Sequence, residues 1–170
     1  RWEYDKDPET FFGALKLLQE EKIPFELYLL GQQFRSSPSC FNTAKIDFSE
    51  ELVQYGFVES RERYEEILMR ADVVVSTAIH EFQGLAMIEA MALGCLPVAP
   101  NHLVYPEYVP TELLYTFEKE SSARSKNLCK VLTDIWKKRE LKSVDCSRFS
   151  WKHCRSNYNT YLFDGIPEQI

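Results

Sequence analysis

The stretch from Asp72 to Pro100 constrains the fold most strongly, because its pattern is that of a complete strand–helix–strand unit. Its first segment, DVVVST, has a β-branched, apolar centre, which is typical of a parallel strand buried on both faces. The pattern then predicts a helix over Gly84 to Leu93 and a second strand over LPVAP. A helix between two parallel strands indicates a sheet with helices packed against it.

The rest of the chain repeats this alternation. Asp7, followed by Pro8, indicates the start of a helix over 7–23, and Ser60 indicates a helix over 61–71. Further helices are predicted over 38–46, 121–138 and 150–163, and further strands over 25–31, 52–56 and 112–117. Repeated units of this length predict an α/β fold, a doubly wound, Rossmann-like parallel sheet that binds ligands at the C-terminal ends of its strands.

Composition narrows the class of function. The 170 residues fit one domain, and a formal charge of −6 argues against broad nucleic-acid binding by this segment, though not against a nucleic acid held by another domain. The five cysteines are odd in number and lack CxxC spacing, which predicts no zinc site and favours a reducing compartment. No apolar run approaches the ~20 residues of a membrane helix. The start at Arg1, without Met, indicates a fragment.

One carboxylate, Glu89, lies in the middle of the most apolar predicted helix. Its neighbours one turn away on either side are Leu85 and Leu93. Because an unpaired carboxylate is costly to bury, Glu89 must pair with an Arg or Lys, lie at an exposed edge, or contact a ligand in a cleft. The residues themselves leave these alternatives open.

A second carboxylate, Glu81, lies in the loop that follows the predicted buried strand. A doubly wound sheet places ligand-contacting groups in such loops, and EFQGLA also offers the free N–H groups of a helix N-terminus to an anion. Together these groups predict a ligand that is both polyhydroxylated and phosphorylated. The alternative for Glu81 is a solvated loop residue.

Three segments carry a resemblance to a known family. HEFQGLAMIEAMALGCLPVAP resembles the E-x7-E segment of family-4 retaining glycosyltransferases, usually E-x-F-G-x4-E-A-M-A-x-G-x-P-V, except that Gln83 stands between Phe82 and the glycine. RWEYDK supplies Arg1 and Lys6 at the family's R-x4-K spacing, and VQYGFVESRERYEEILMRADVVVST is similar to the family's segment near the donor base. The resemblance covers nearly the whole chain and implies the C-terminal half of a GT-B fold.

This resemblance implies roles for particular residues. Arg1 and Lys6 would neutralise the donor diphosphate, Glu81 would contact the hexose hydroxyls, and Glu89 the ribose hydroxyls. The remaining donor-binding residues implied in this way are Gly31, Phe57, Val58, Phe82, Gly84, Leu85 and Ala86. Gly31 could equally be a simple turn, Phe57 and Val58 could be ordinary buried residues, and His80 is more typical of packing than of a general base.

RWEYDKDPETFF, ADVVVSTAIHEFQGLAMIEA and LVYPE resemble a branch of the family associated with mannosylation of queuosine in tRNA. That resemblance implies a GDP-mannose donor, a tRNA acceptor, no metal or other cofactor, and a location in the cytoplasm or also the nucleus. Residues 1–170 would be the donor-binding domain, and the chain is expected to bind nucleotide weakly and to be inactive without an N-terminal acceptor domain. There are two alternatives to this function. The chain could belong to a glycosyltransferase with another hexose donor and a glycan or lipid acceptor, or it could be a non-catalytic Rossmann-like binding module.

Overall fold

The structure, a computed structural model, describes residues 2–33, 37–139 and 142–164. Within these residues helices and strands alternate along the chain. The helices are α1 (Pro8–Glu20), α2 (Cys40–Asp47), α3 (Arg61–Arg70), α4 (Leu85–Ala92), α5 (Ser121–Lys138) and α6 (Trp151–Asn159). The strands are β1 (Leu27–Leu30), β2 (Leu52–Gly56), β3 (Val73–Val75), β4 (Leu96–Pro100) and β5 (Leu114–Tyr115). None of the described helices is both long and apolar enough to cross a membrane.

Local capping sets where two of the helices begin. The Asp7 carboxylate accepts a hydrogen bond from Thr10 N at 3.4 Å, and the Ser60 hydroxyl accepts one from Arg63 N at 3.1 Å. Both satisfy N–H groups that have no acceptor within the helix. The predicted starts of α1 and α3 are therefore confirmed.

Several predicted elements are shorter than expected, among them the last strand and the last helix. The strand expected over 112–117 is reduced to β5, because the residues before it form a 3₁₀ turn in which Leu113 N donates to Pro110 O at 2.9 Å. The last helix, expected over 150–163, ends at Asn159, and Thr160–Asp164 continue as a single π-helical turn.

The strands form two groups of parallel neighbours. β1 pairs with β2, and β3, β4 and β5 pair in that order. The predicted α/β class with parallel strands is confirmed, but among the described residues no ladder joins β1 to β3. The expectation that β3 is buried on both faces is wrong, since Val73, Val74 and Val75 are all partly exposed. The physical reason is that β3 has a hydrogen-bonded neighbour on one side only.

Helices cover both faces of the strands. On one face, Phe12 of α1, Phe41 of α2 and Leu128 of α5 share a core with Val98 of β4. On the other face, the α4 residues Met87 and Met91 share a core with Ala99 of the same strand. All five residues of β4 are buried, as expected for a parallel strand covered on both sides. This is the doubly wound arrangement, and its loops at the C-terminal ends of the strands hold the residues described next.

Candidate functional site

Lys6 and Glu81 meet at the C-terminal ends of the strands. Lys6 ends a 3₁₀ turn, Tyr4–Lys6, that leads into α1, whereas Glu81 lies in the loop after β3. Lys6 Nζ is 3.3 Å from a Glu81 carboxylate oxygen and 3.5 Å from Asp5, and it donates to His80 O at 3.1 Å. The structure thus brings together the lysine of the R-x4-K motif and the first glutamate of the E-x7-E motif.

Backbone contacts fix the Lys6 turn against the loop after β3. Ile79 N donates to Asp5 O at 2.8 Å, and the Thr77 hydroxyl donates to Lys6 O at 2.7 Å. Thr77 is itself buried. The backbone of Lys6 is therefore fixed beside the loop that carries Glu81.

The Glu81 carboxylate is held as an anion. Burial acts to raise the pKa of this carboxyl, but the Lys6 ammonium and the backbone N–H groups of Phe82 and Gly84 outweigh burial and lower the pKa below its ordinary value. The hydrogen bond from Phe82 N measures 3.0 Å. Glu81 is consequently ionised at neutral pH, and a quarter of its side chain remains exposed at the surface, where it can accept further hydrogen bonds.

The N-terminus of α4 opens beside this ion pair. Gly84 is the N-cap residue, with a left-handed backbone at φ 69° and ψ 39°. Leu85 and Ala86 form the first turn and are exposed, and their N–H groups have no acceptor within the helix. Phe82 is almost fully exposed, at 95%. A helix N-terminus next to an ammonium group suits an anion with more than one charged oxygen.

Two tyrosines of the loop after β4 form the wall behind Gly84. The buried Tyr105 hydroxyl lies 2.6 Å from the Ser76 hydroxyl, and the Tyr108 hydroxyl donates to Gln83 O at 3.4 Å. Burial raises the pKa of Tyr105 to about 12, with Ser76 lowering it and the Glu81 charge raising it. The residue at which the motif departs from the family pattern, Gln83, is thus contacted through its carbonyl by Tyr108.

This packing makes Gly84 sensitive to substitution. A Cβ atom at position 84 would overlap the Tyr108 hydroxyl and lie 3.3 Å from the Tyr105 ring. We expect Gly84→Ala to lower the free energy of unfolding by about 2–4 kcal/mol, through overpacking and the left-handed backbone. Urea unfolding measures this cost, and the same substitution in a Tyr108→Phe background should cost about half as much. Equal costs in the two backgrounds would contradict the proposed overlap.

Glu89 forms an ion pair at the edge of α4. Its carboxylate lies 2.5 Å from the Arg61 guanidinium of α3, and 31% of the side chain is exposed. Tyr64 is also in contact, since burial first, and then the charge and a hydrogen bond of Glu89, raise the pKa of Tyr64 to about 12. Of the alternatives for Glu89, the structure therefore shows pairing with an arginine at a partly exposed edge.

The other predicted site residues lie along the same side of the strands or outside the described residues. Gly31 follows β1, and its N–H donates to Gly56 O at 3.1 Å, so it extends the β1–β2 pairing. Phe57 and Val58 follow β2, where Phe57 is 64% exposed rather than buried. Arg1 lies outside the described residues. His80 offers its carbonyl to Lys6, while its imidazole is exposed.

A buried ion pair beneath Lys6 escaped prediction from the sequence. Arg124 of α5 contacts the Asp7 carboxylate through two nitrogens, each at 2.9 Å, and also donates to Thr10 Oγ1 at 3.2 Å. It further donates to the carbonyls of Glu118 and Lys119, both at 2.7 Å. One feature of the sequence could have indicated that Arg124 is buried: it lies one turn before Leu128, on the core-facing side of an amphipathic helix.

The described side chains around Lys6 suit the binding of an anion. Among residues 2–33, 37–139 and 142–164, no group of three or more His, Cys, Asp or Glu side chains is placed to hold a metal ion. The site combines the Lys6 ammonium group and the N-terminus of α4 with two carboxylates, Glu81 beside Lys6 and Glu89 on α4. The ammonium group and the helix N-terminus can bind phosphate oxygens, and the carboxylates can accept hydrogen bonds from sugar hydroxyls.

The comparison with known families defines the class of this protein. Residues 1–141 match the family model described as glycosyl transferases group 1. The chain therefore belongs to this family of glycosyltransferases.

Among individual relatives, the chain is similar to a tRNA-queuosine alpha-mannosyltransferase of Drosophila melanogaster. The two are 36% identical over 160 residues, which make up 93% of this chain and 42% of the relative. The chain thus spans less than half the length of that relative.

Solved structures confirm the fold. The chain matches a sucrose-phosphate synthase from Thermosynechococcus elongatus with a TM-score of 0.66 and 20% identity, over 93% of this chain and 42% of the other. It matches the catalytic domain of a cholesterol-alpha-glucosyltransferase from Helicobacter pylori with a TM-score of 0.56 and 19% identity, over 94% of this chain and 93% of the other. At these identities the likeness shows the fold alone, a Rossmann-like α/β fold of the GT-B type.

Proposed function

We propose that this chain is the donor-binding half of a retaining glycosyltransferase that transfers mannose from GDP-mannose to queuosine in tRNA. The observation that carries the proposal is the contact between Lys6 and Glu81 at 3.3 Å, beside the N-terminus of α4. Family membership supports the transfer of a sugar, and the similarity to the Drosophila relative supports mannose as the sugar and tRNA queuosine as the acceptor.

Each group has a chemical task in this proposal. The Lys6 ammonium, with Arg1 and the N–H groups of Leu85 and Ala86, would neutralise the donor diphosphate. Glu81 would accept hydrogen bonds from the hexose hydroxyls and Glu89 from the ribose hydroxyls. Positive groups matter most when the diphosphate departs, because its negative charge grows in the transition state. In this proposal no metal ion is needed, because protein groups supply that charge.

The proposed reaction breaks one bond and forms one. The bond between the anomeric carbon and the diphosphate oxygen breaks, and its electron pair leaves with GDP. The acceptor hydroxyl oxygen bonds to the same carbon on the same face, so the configuration is retained, and the hydroxyl proton passes to a diphosphate oxygen. The protein mainly orients the reactants and stabilises the charge on the leaving group.

We place most of the acceptor binding outside this chain. A net charge of −6 does not favour the phosphate backbone of tRNA, whose binding needs a basic surface. An N-terminal GT-B half would supply that surface. A tRNA substrate would in turn place the protein in the cytoplasm or also in the nucleus.

A panel of nucleotides tests the proposal. With 10 mM ligand and a dissociation constant on the order of 1 mM, bound nucleotide stabilises the fold by about 1.4 kcal/mol, or ~3–6 °C in melting temperature. We expect GDP and GDP-mannose to produce this shift, and UDP and ADP to produce none. A shift with UDP alone would favour another hexose donor, and no shift with any nucleotide would favour a non-catalytic binding module.

Glu89→Ala separates the ribose role from the ion pair. We expect this variant to remain folded and to lose the GDP-dependent shift, whereas Arg61→Ala, which removes the other half of the pair, should keep it. Both variants lose the contact at 2.5 Å, so any effect common to them reports the ion pair. If Glu89→Ala retained the full GDP shift, the ribose role would be wrong.

A further inference from the structure

The segment that follows α5 packs against the wall of the candidate site. Val144 and Cys146 pack on the core cluster that α4 forms with the buried Tyr105. A 3₁₀ turn, Ser147–Phe149, comes next and leads into α6. These residues lie beyond residues 1–141, which match the family model, so that match assigns them no role.

Two side chains of this turn contact the loop after β4. Arg148 donates a hydrogen bond to Glu107 O at 2.7 Å. The Phe149 ring meets the Tyr108 ring edge to face, with the ring centroids 5.5 Å apart and the planes at 84°. The Arg148 guanidinium lies 4.7 Å from the centre of the same Phe149 ring. Because edge-to-face and cation–π contacts favour one arrangement of the rings, Arg148 and Phe149 together brace Tyr108.

Tyr108 in turn contacts one peptide unit of the loop that carries Glu81. Its hydroxyl donates to Gln83 O at 3.4 Å, and a Cβ atom added at Gly84 would overlap the same hydroxyl. That peptide unit also carries the N–H group of Gly84, which acts on the Glu81 carboxylate as a hydrogen-bond donor. The C=O and N–H groups of a planar trans peptide unit point in opposite directions. Tyr108 and Glu81 therefore hold the two sides of one peptide unit.

We infer that Tyr108 is a positioning residue of the donor site, and that Arg148 and Phe149 act through it. By holding the Gln83 carbonyl, Tyr108 fixes the plane of the peptide unit and so directs the Gly84 N–H group at Glu81. Glycine has no strong preference for one backbone conformation, so the orientation of this unit depends on its neighbours. The inference rests on the proposed function insofar as it treats this site as the donor site.

A purely structural role for Tyr108 leads to a different expectation. If only the packing of the ring matters, Tyr108→Phe keeps the contact with Phe149 and leaves Glu81 unchanged. If the hydroxyl matters, the same substitution releases the Gln83 carbonyl and loosens the N–H group on the other side of the peptide unit. The hydroxyl is directed at that one carbonyl, which favours the positioning role.

Titration of the Glu81 carboxyl group, followed by NMR of its carboxyl carbon, distinguishes the two roles without any ligand. We expect Tyr108→Phe to raise the pKa of Glu81, because the carboxylate loses part of its hydrogen bonding to the Gly84 N–H group. Tyr115→Phe is the matched control. The Tyr115 hydroxyl donates to a different carbonyl, Ser76 O, also at 3.4 Å, and its loss should leave the pKa of Glu81 unchanged.

The charges around Glu81 are the same in these variants. Lys6 lies 3.3 Å from the Glu81 carboxylate, and Asp5 contacts the same ammonium group. His80 precedes Glu81 in the chain. The tyrosines of the loop after β4 stay neutral during the titration, because burial raises their pKa values above the ordinary value. A change in the pKa of Glu81 therefore reports a change in its hydrogen bonds.

Phe149→Ala tests whether the C-terminal turn acts through Tyr108. We expect this variant to raise the pKa of Glu81, and Phe149→Tyr, which keeps an aromatic ring, to leave it unchanged. Trp151→Ala removes an exposed ring of α6 and should also have no effect. In the double variant with Tyr108→Phe, Phe149→Ala should cause no further increase, because its only route to Glu81 is already lost.

Binding of GDP provides a second measurement. We expect Tyr108→Phe and Phe149→Ala each to weaken GDP binding by about three- to tenfold, which corresponds to the loss of one ordinary hydrogen bond. Tyr115→Phe should leave it unchanged. If the unchanged chain bound no nucleotide, the proposed function would fail, whereas the pKa of Glu81 would still decide this inference.

Each outcome decides for or against the positioning role. A higher pKa of Glu81 in Tyr108→Phe, without one in Tyr115→Phe, supports it. An unchanged pKa in Tyr108→Phe, or an equal increase in both variants, would overturn it. So would GDP binding that is unaffected by Tyr108→Phe, or additive increases in the double variant, since Phe149 would then act by another route.

Discussion

Replacing Arg124 by Met is expected to lower the free energy of unfolding by about 3–5 kcal/mol. Arg124 and Asp7 are each about one-tenth exposed, and the methionine would leave the Asp7 carboxylate buried without its cation. It would also leave the carbonyls of Glu118 and Lys119, just before α5, without this donor. For a chain of this length the change corresponds to a fall of ~6–20 °C in melting temperature, which calorimetry or circular dichroism measures.

A second substitution identifies the origin of that cost. If the unpaired charge of Asp7 is the cause, adding Asp7→Asn to Arg124→Met should restore about 1–2 kcal/mol of the free energy of unfolding, because a neutral amide replaces the buried anion. Asparagine is suitable at this position, since Asp7 has φ 45° and asparagine tolerates the left-handed region while retaining the helix cap. A further loss of stability in the double variant would show that charge is not the cause.

Lys16 provides a matched control for the loss of an ion pair. Its ammonium lies 2.7 Å from Asp47, as close as the Arg124 contact, but 53% of the lysine side chain is exposed. We expect Lys16→Met to cost about 0–1 kcal/mol, because water replaces much of the interaction. A similar cost for Lys16→Met and Arg124→Met would contradict the argument that burial determines the difference.

Most of the fold could be predicted from the sequence because its signals are local. Asp7 and Ser60 cap the helices that follow them, and the segments that lead up to Gly31 and Gly56 form strands. The partial exposure of β3 could not be predicted in this way. The exposure of a strand depends on whether another strand pairs with each of its edges. The sequence of three valines is the same whether β3 has one such neighbour or two, so it does not reveal the exposure.

The candidate site could be predicted only in part. Family resemblance brought Lys6 and Glu81 into one hypothesis, although 75 positions separate them along the chain. The Arg61 partner of Glu89 was foreseen only as an unspecified arginine or lysine, and Arg124 was not foreseen. Such partners depend on how separate helices pack, and helical periodicity within α3 or α5 does not specify which distant carboxylate an arginine will meet.

The two members of the central ion pair should affect nucleotide binding in opposite directions. Lys6→Met removes the ammonium group that would contact the diphosphate. We expect it to weaken GDP binding by about 10- to 100-fold, which corresponds to the free energy of one hydrogen bond to a charged group. Glu81→Gln removes a negative charge 3.3 Å from that ammonium, and we expect it to tighten GDP binding by about three- to tenfold. Titration of the folded chain with GDP, followed by amide chemical shifts in NMR spectra, measures both changes.

The sugar distinguishes a ligand contact from simple electrostatics. If Glu81 accepts hydrogen bonds from the hexose, Glu81→Gln should tighten GDP-mannose binding less than GDP binding, because the amide accepts more weakly than a carboxylate. Asp5→Asn is the matched control: Asp5 lies 3.5 Å from the same ammonium, and its loss should tighten the binding of both ligands equally. Should Glu81→Gln instead weaken GDP binding as much as Lys6→Met, the pair would act as a structural unit, and its proposed role in binding the donor would be wrong.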